Sequence, residues 1–250
     1  RTNAWTKLAA TAKAGSDKIQ VADASGWRKG DVIVLASTDF NPRQAEERTI
    51  TAISGNALTL DKPLAYMHFG QITFGVDERG EVGMLTRNIK IQASEDAEKT
   101  YFGGHIMAMA GAKMYVSGIE LNRMGQNMHL ARYPIHWHLI GEGKGQYIEN
   151  SSIHDTYNRC VTVHGTNDVL IENNEFTNSS ANANTDGVGI SNTGSTLFAG
   201  IQVLDNQFTN TGLGMYFYGS SGVTVSGNNV SGATGAAIGL YNYDVAGAQA

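Results

Sequence analysis

Two of the seven histidines in the chain, His136 and His138, stand one residue apart in the string Ile-His-Trp-His. Side chains two positions apart in an extended strand point to the same side, so both imidazoles share a face. A third histidine, His164, ends the similar string Val-Thr-Val-His, 26 residues after His138. Imidazoles held a few ångströms apart can bind a transition metal, or can supply a general acid or base near neutral pH. Both kinds of chemistry require a fold that brings His164 beside the pair.

The strings around these histidines belong to a repeat that runs through the second half of the chain. Each copy alternates two apolar residues with two residues of other types. Further strands recur around Ile148 and Ile153, so each repeat of roughly 22–27 residues holds three strands. A recurrence of this kind is the signature of a solenoid. The first apolar residue of each copy recurs in steps of 26, 27, 27 and 23 residues. These residues are Ile135, Val161, Val188, Met215 and Ile238.

The sequence therefore predicts an all-β protein whose main part is a right-handed parallel β-helix of three sheets. Strand alternation turns Ile135, Trp137 and their counterparts in later coils into the interior, and no polar residue interrupts these two stacks. The residues between them must point outward, and neighbouring rungs of a parallel sheet lie about 4.8 Å apart. In this register His138 and His164 are direct neighbours. His136 lies beside them on the outer face of the sheet.

The first part of the chain has a different pattern, with short strands separated by turn signals. Ser54-Gly55-Asn56 is typical of a hairpin turn. We predict a small antiparallel β-module over residues 1–85, followed by the β-helix over residues 86–250. The charged segment 76–82 and Arg87 favour an ion-paired joint between the two parts. The predicted strands of the module cover residues 18–21, 31–36, 48–53 and 57–60.

Other residues are candidates for the neighbourhood of the histidine cluster. Arg159 and Asp186 precede equivalent strands, so we expect them to pair across one rung and to join the three histidines as catalytic candidates. His105 lies about one coil earlier and is a candidate for substrate binding. Aromatic residues on the outer face could stack on sugar rings, or could only pair with one another across the strands. This outer strip consists of Tyr216, Tyr218 and Tyr241.

Residues at the corners between strands favour structural roles. His154 and Asp155 replace the Thr-Asn pair of later coils, and we favour corner hydrogen bonding over chemistry for them. Cys160 is the one cysteine, which excludes an internal disulfide, and its position favours an inert small residue. A ladder of side-chain amides between coils is predicted from Ser151, Asn174, Asn206 and Asn228.

Composition excludes several classes of function. The formal net charge of −5 argues against non-specific binding of nucleic acid, which needs a basic stripe. No segment approaches the ~18 consecutive apolar residues of a membrane span. The chain starts at Arg1 without a signal peptide, and we interpret it as a mature protein or an excised fragment whose export signal is encoded elsewhere.

Several strings together resemble the G8-domain and parallel β-helix proteins, typified by the cell-migration-inducing hyaluronan-binding protein, transmembrane protein 2 and the fibrocystin-like proteins. The most specific strings are Tyr-Pro-Ile-His-Trp-His at 133–138 and Asn-Arg-Cys-Val-Thr-Val-His-Gly-Thr at 158–166. Weaker matches are Gln-Ala-Glu-Glu at 44–47 and Gly-Gly-His-Ile at 103–106. The similarity runs from about residue 5 to residue 175. It implies an extracellular bacterial-type member or fragment tied to hyaluronan or similar glycans.

The chain departs from the family pattern after Phe176. Family members usually continue with Gly-His, two aromatic residues and Leu-Glu-Asp, whereas this chain has Asp-Gly-Val-Gly-Ile-Ser at 186–191. The Gly- and Trp-rich opening of a full G8 domain is also missing, so the module resembles part of a G8 domain.

These features lead to two functional hypotheses. The first is an extracellular or cell-surface enzyme, a hydrolase or lyase that degrades hyaluronan or another glycosaminoglycan at the histidine cluster. The metal would be zinc or another transition metal rather than calcium, because the outer face shows no acidic cluster. The second is a non-catalytic module that binds polysaccharide or serves as a structural β-helix. Bound metal favours the first, and saturable glycan binding without product favours the second.

Overall fold

A computed structural model describes residues 3–179, 186–191 and 199–241 of the chain. For Pro42, Asp186, Ser191 and Tyr241 it describes the backbone only. The strands of the N-terminal part are β1 (Trp5–Lys7), β2 (Lys18–Gln20), β3 (Val32–Leu35), β4 (Glu46–Ser54), β5 (Ala57–Leu60), β6 (Ile72–Thr73), β7 (Val76–Asp77) and β8 (Glu81–Met84). They form an antiparallel sheet in the order β1-β8-β3-β4-β5-β2 and a separate hairpin of β6 and β7. A 3-10 turn at Pro42–Gln44 precedes β4.

The predicted antiparallel module is confirmed. Ser54 pairs with Ala57, so Gly55 and Asn56 form the two-residue turn between β4 and β5. Gly55 has a φ of +59°, in the left-handed region that such turns require. The module has its own apolar core, because alternate residues of its strands face inward. Its fully buried side chains include Leu8, Ile33, Leu35, Ile50, Leu58 and Met84.

The rest of the described chain is a parallel β-helix, as predicted. Its strands are β9 (Ile89–Gln92), β10 (Ile106–Ala108), β11 (Tyr115–Ser117), β12 (Ile119–Asn122), β13 (Ile135–Glu142), β14 (Tyr147–Glu149), β15 (Ser152–His154), β16 (Val161–Asn167), β17 (Leu170–Glu172), β18 (Glu175–Thr177), β19 (Asp186–Ser191), β20 (Gln202–Leu204), β21 (Gln207–Thr209), β22 (Leu213–Tyr218), β23 (Thr224–Ser226), β24 (Asn229–Ser231) and β25 (Ile238–Tyr241). One short helix, α1 (Ala97–Thr100), follows β9. Within the described ranges, no helix is long and apolar enough to span a membrane.

Three parallel sheets enclose the core of the β-helix. Sheet I has the order β10-β13-β16-β19-β22-β25, sheet II β11-β14-β17-β20-β23, and sheet III β9-β12-β15-β18-β21-β24. In sheet I, Ile135 pairs with Val161 and His138 pairs with His164, which is the predicted register. Trp137 is fully buried because the same register turns it into the core, where burial of a large aromatic surface stabilises the coil.

The predicted amide ladder lies at the corner between sheets II and III. The Nδ2 of Asn174 donates to the Oδ1 of Asn206 at 3.0 Å, and the Nδ2 of Asn206 donates to the Oδ1 of Asn228 at 2.9 Å. Each of these two amides also donates to a main-chain oxygen of the preceding coil. The ladder thereby satisfies buried backbone groups where the chain turns between sheets.

The module packs on the outer face of sheet III. The indole Nε1 of Trp5 donates to the carbonyl of Asp205 at 3.1 Å, and the hydroxyl of Ser231 donates to the carbonyl of Ser37 at 3.1 Å. Arg87 joins the two parts by donating to the carbonyls of Met84 and Asn150. Hydrogen bonds to main-chain oxygens therefore contribute to the joint. The described ion pairs of the charged segment, Lys7 with Asp77 and Glu81 and Arg79 with Asp77, lie within the module, so the predicted ion-paired joint stays a prediction. The predicted boundary at residues 85 and 86 lies in the connection between β8 and β9.

Candidate functional site

Sheet I brings His136, His138 and His164 together on the face opposite the core. The Nδ1 atoms of His138 and His164 are 3.1 Å apart, because these residues are register partners on β13 and β16. The ring of His136 is centred 4.8 Å from that of His138 and 6.3 Å from that of His164. One ring nitrogen from each residue lies within 4.8 Å of the others. Among the described residues, these three form the one group of His, Cys, Asp or Glu side chains with metal-ligand spacing.

A loop before β13 covers His136, which the sequence alone places on an exposed face. His136 is only 1% exposed, because the ring of Tyr133 packs edge-on with its centre 4.9 Å away and the carbonyl of Ala131 contacts the Nδ1. The Nδ1 of His136 is 3.2 Å from the carbonyl of Ala131, and only a protonated nitrogen can donate to a carbonyl. The hydrogen therefore sits on Nδ1, and Nε2 carries the lone pair. Within the described structure, this buried Nε2 has no hydrogen-bond partner.

Electrostatics favour the neutral form of two of the three imidazoles, His136 and His164. Burial lowers the pKa of His136 to about 4, and the neighbouring histidines add to the effect while the bond to Ala131 opposes it. Burial, followed by the charge of His138, also lowers the pKa of His164. Desolvation penalises the protonated form of each ring. Neutral imidazole is the form that binds metal ions, so these two histidines are prepared for coordination at neutral pH.

The cluster opens into a cavity of about 200 Å³. Arg159 forms one wall, and its guanidinium carbon lies 5.8 Å from the ring centre of Tyr133 and 5.1 Å from that of Tyr216. A Cβ at Gly189 would lie 2.9 Å from the Cδ of Arg159, so glycine makes room for the arginine side chain. The remaining lining residues are Leu130, Ala131, Thr162 and the three histidines. A cation between two aromatic rings thus borders the nitrogen cluster.

The predicted aromatic strip begins at this wall. The rings of Tyr216 and Tyr218 stack at 6.1 Å with an interplanar angle of 10°, and both are half-buried. Tyr241 pairs with Tyr218 in the backbone register, but its side chain lies outside the described residues. The strip extends the site along the outer face of sheet I, away from the histidines.

Of two other predicted site residues, His105 lies outside the cluster and only the backbone of Asp186 is described. The Nε2 of His105 lies 3.0 Å from the Nη1 of Arg132, and burial and that arginine lower the pKa of His105. The backbone of Asp186 pairs with Leu213. The side chain of Asp186, the predicted partner of Arg159, lies outside the described residues. The predicted pairing of Arg159 with Asp186 therefore stays a prediction.

Sequence reasoning missed the covering loop, and with it Tyr133 and Ala131. A signal was present, because Tyr133-Pro134 directly precedes β13 and belongs to the most specific of the family-like strings. Proline restricts the residue before it to extended backbone, which fixes the entry of the chain into the strand. Periodicity offers no help in this loop, because it lies between repeats.

His154 on sheet III lies in a separate, charged cluster. Its Nδ1 is 2.7 Å from the Oδ2 of Asp155, and its Nε2 is 3.1 Å from the Oε1 of Glu120, which also binds Lys90. Burial by itself would lower the pKa of His154, but the hydrogen bonds and charges of the two carboxylates outweigh it and raise the pKa to about 9. The predicted corner hydrogen bonding is thus present, and it holds a buried imidazolium.

Comparison with solved structures finds phage tailspikes. The Acinetobacter baumannii bacteriophage AP22 tailspike, solved with a capsular saccharide, matches 92% of this chain and 33% of its own, with 15% identity and a TM-score of 0.26. The tailspike gp61 of Pseudomonas phage phi297 matches 96% of this chain and 49% of its own, with 11% identity and a TM-score of 0.29. These scores are too low to support any functional comparison.

Sequence comparison finds much nearer relatives. A G8 domain-containing protein of Dictyostelium discoideum is 38% identical over 179 residues, covering 69% of this chain and 12% of the relative. The human "cell surface hyaluronidase CEMIP2" is 42% identical over 172 residues, covering 60% of this chain and 12% of the relative. Mouse fibrocystin-L is 37% identical over 218 residues, covering 68% of this chain and 5% of the relative. The chain therefore spans only a small part of each relative's length.

The family model described as CEMIP beta-helix matches residues 101–187, the segment that holds the covering loop, β13, β16 and all three clustered histidines. The resemblance predicted from the strings at 133–138 and 158–166 is thereby confirmed. The chain belongs with the G8 domain-containing and fibrocystin-like proteins, and its histidine cluster lies in a CEMIP β-helix.

Proposed function

We propose that the histidine cluster is a transition-metal centre and that the chain acts on an extracellular glycan of the hyaluronan type. One observation carries the proposal: the bond to Ala131 fixes the tautomer of His136 and leaves a buried, unpartnered Nε2 on a ring that clusters with two more imidazoles. A buried polar atom without a partner costs roughly 1–3 kcal/mol, so a ligand for it is expected. Metal-binding histidines commonly donate the N–H of their other ring nitrogen to a carbonyl in this way.

The donor set fits zinc or a similar transition metal. Three imidazole ligands suit zinc, copper, nickel or iron, whereas calcium takes oxygen ligands. Zinc sites with three protein ligands keep a fourth position for water or substrate. The 3.1 Å separation of the Nδ1 atoms of His138 and His164 is close to the ~3.3 Å that two zinc ligands at ~2.05 Å would have in tetrahedral geometry. When bound, such a metal would polarise a substrate oxygen or activate a water molecule.

The surrounding residues suit a sugar polymer. The stacked rings of Tyr216 and Tyr218 offer an aromatic surface to sugar rings, and Arg159 offers hydrogen-bond donors beside the histidines. Hyaluronan is the candidate substrate because the related human protein is called a cell surface hyaluronidase. The same relationship supports an extracellular or cell-surface location for this chain.

A second function is a binding module without catalysis. The stack of Tyr216 and Tyr218 favours it, because the stack forms a binding surface whether or not a metal is held nearby. The two functions share the glycan and differ in whether the glycan is cleaved.

The test uses the chain stripped of metal by a chelator. Zinc is titrated into the wild type, His164→Ala and His129→Ala, and hyaluronan length is followed by size-exclusion chromatography with and without zinc. We expect one zinc per chain in the wild type and in the control His129→Ala, whose histidine is exposed and outside the cluster. His164→Ala should lose zinc binding and any cleavage. Zinc-independent binding of hyaluronan without cleavage would favour the binding module, and absence of zinc binding would contradict the metal centre.

A further inference from the structure

We propose that a second pocket, built around Tyr157 at the end of sheet III, binds one uncharged sugar ring or a similar polyhydroxylated ligand. The pocket has a volume of about 430 Å³ and lies beside α1 and the turn that follows β15. That size lies within the range of ~300–1,000 Å³ typical of small-molecule sites. The pocket is separate from the histidine cluster, and the inference does not depend on a metal there. It is lined by Glu98, Asn122, Arg123, Asp155, Tyr157 and Asn178.

The hydroxyl of Tyr157 is the first observation that indicates a ligand. Tyr157 is only 6% exposed, and its ring packs edge-on against Tyr101 at 5.6 Å. No described residue accepts from or donates to its hydroxyl. Burial and the negative charge of Glu98 raise the pKa of Tyr157, and the positive charge of Arg123 opposes this shift. A mostly buried tyrosine therefore lines the pocket, and the described structure gives its hydroxyl no protein partner.

The charges around the pocket cancel in pairs. The Nη1 of Arg123 binds the Oε1 of Glu98 at 2.9 Å, and the Oδ2 of Asp155 binds the imidazolium of His154 at 2.7 Å. The partly buried carboxyl group of Glu47 lies behind Asn178 and accepts from its Nδ2 at 2.7 Å, and burial raises the pKa of Glu47. Because each charged lining side chain is paired, the pocket has little preference for a phosphate, a carboxylate or an amine. A neutral ligand is favoured instead, provided that it can match the directional donors and acceptors of the lining groups.

The two amides fix the orientation of these groups. The Nδ2 of Asn122 donates to the Oδ2 of Asp155 at 3.1 Å, and the Nδ2 of Asn178 donates to its Oδ1 at 3.2 Å. Asn178 is held in turn because its Oδ1 accepts from the Nδ2 of Asn210 at 2.7 Å. The carboxylate of Asp155 is therefore rigid before any ligand arrives, which lowers the entropic cost of binding.

A sugar ring fits this combination of groups. Adjacent hydroxyls can donate to the carboxylates of Asp155 and Glu98 and can accept from Arg123 and Tyr157, while the aromatic body of Tyr157 contacts the apolar face of the ring. Arg159, two residues further along the same turn, lines the histidine cavity. The two sites therefore lie on either side of one corner of the β-helix.

The test is a nuclear magnetic resonance titration of the labelled whole chain with four sugars of the same ring size. Glucose and N-acetylglucosamine are the neutral probes, glucosamine is the cationic probe and glucuronate the anionic probe. We expect the neutral sugars to shift the side-chain resonances of Tyr157, Arg123 and Asn178 with millimolar dissociation constants. The charged sugars should bind several-fold more weakly.

Two variants separate this site from the metal centre. Tyr157→Phe removes only the hydroxyl, and we expect affinity for the neutral sugars to fall about 2- to 10-fold, the effect of one hydrogen bond. His164→Ala should bind these sugars as the wild type does, whatever becomes of the metal. The inference is overturned if no saturable shifts appear at these residues, if the charged sugars bind as well as glucose, or if Tyr157→Phe leaves the affinity unchanged.

Discussion

His136 and His154 are both almost fully buried in the same coil of the β-helix, yet their surroundings are opposite. His136 on sheet I has other imidazoles and a carbonyl as neighbours, and its pKa is lowered to about 4. His154 on sheet III lies between Glu120 and Asp155, and its pKa is raised to about 9. Burial lowers the pKa in both cases, so the partners decide the outcome. One residue is a neutral imidazole with an unpartnered nitrogen in the described structure, and the other is a cation at neutral pH that braces a corner.

The hydrogen bonds of the two rings distinguish a binding role from a structural one. Both nitrogens of His154 are already bonded, so it has no capacity left for a metal or substrate. His136 has a bonded Nδ1 and an unpartnered Nε2 within the described structure. A free lone pair in a dry site indicates binding, whereas a saturated ring indicates stability.

The largest expected effect is the difference between the two titration midpoints. In the metal-free chain, we expect the ring of His136 to titrate near pH 4 and that of His154 near pH 9. The two midpoints would lie on opposite sides of the ordinary value of 6.5. Ring-proton shifts between pH 3.5 and 10, assigned with His154→Gln, measure both. Titration midpoints that coincide would contradict the opposite pKa shifts of the two histidines.

Substitution by glutamine should affect stability unequally at the two sites. His154→Gln leaves Asp155 without its cation and Glu120 with Lys90 alone. We expect a loss of about 3 kcal/mol in the free energy of unfolding, the lower end of the range for a buried pair, because the Asp155 side chain is 39% exposed. His136→Gln in the metal-free chain should cost about 1 kcal/mol, the value of one hydrogen bond. Urea unfolding at pH 6.5 tests both variants. The contribution of His154 should be full below pH 6.5 and disappear as the pH rises through about 9, because its folded-state pKa is the raised one.

A smaller effect is expected at Glu175, which lies between sheet III and the module. Burial raises its pKa to about 8, and a Cβ at Gly83 of β8 would lie 2.2 Å from its Oε2, so glycine makes room for the carboxyl group. The folded chain holds a proton that the unfolded chain has released above pH 4.5, so Glu175 by itself makes stability fall by about 1.4 kcal/mol per unit as the pH rises. The lowered pKa of His136 acts in the opposite direction below pH 6.5, so the contribution of Glu175 is the difference in slope between the wild type and Glu175→Gln.

Glu175→Gln should flatten this slope. The measurement is urea unfolding of wild type and variant at pH 5 and pH 6.5. This window lies below the pH range in which the contribution of His154 to stability changes. Equal slopes in the two proteins would show that Glu175 ionises in the folded state.

Much of this arrangement was predictable from the sequence, because the β-helix repeats. The alignment of Ile135 with Val161 fixes the register of sheet I, and that register alone places His138 opposite His164. The cover over His136 was not predictable, because the sequence repeat does not extend into the loop that contains Ala131. The position of Glu175 on sheet III was likewise predictable from the repeat. Its burial was not, because it depends on where the module packs.

The metal centre is tested most directly by diffraction from crystals of the chain grown with zinc, with data collected on both sides of the zinc absorption edge. We predict one anomalous peak within about 2.0–2.1 Å of the Nε2 of His136 and of one ring nitrogen each of His138 and His164. A map without a peak between these three rings, with His138 and His164 hydrogen-bonded to each other instead, would contradict the account.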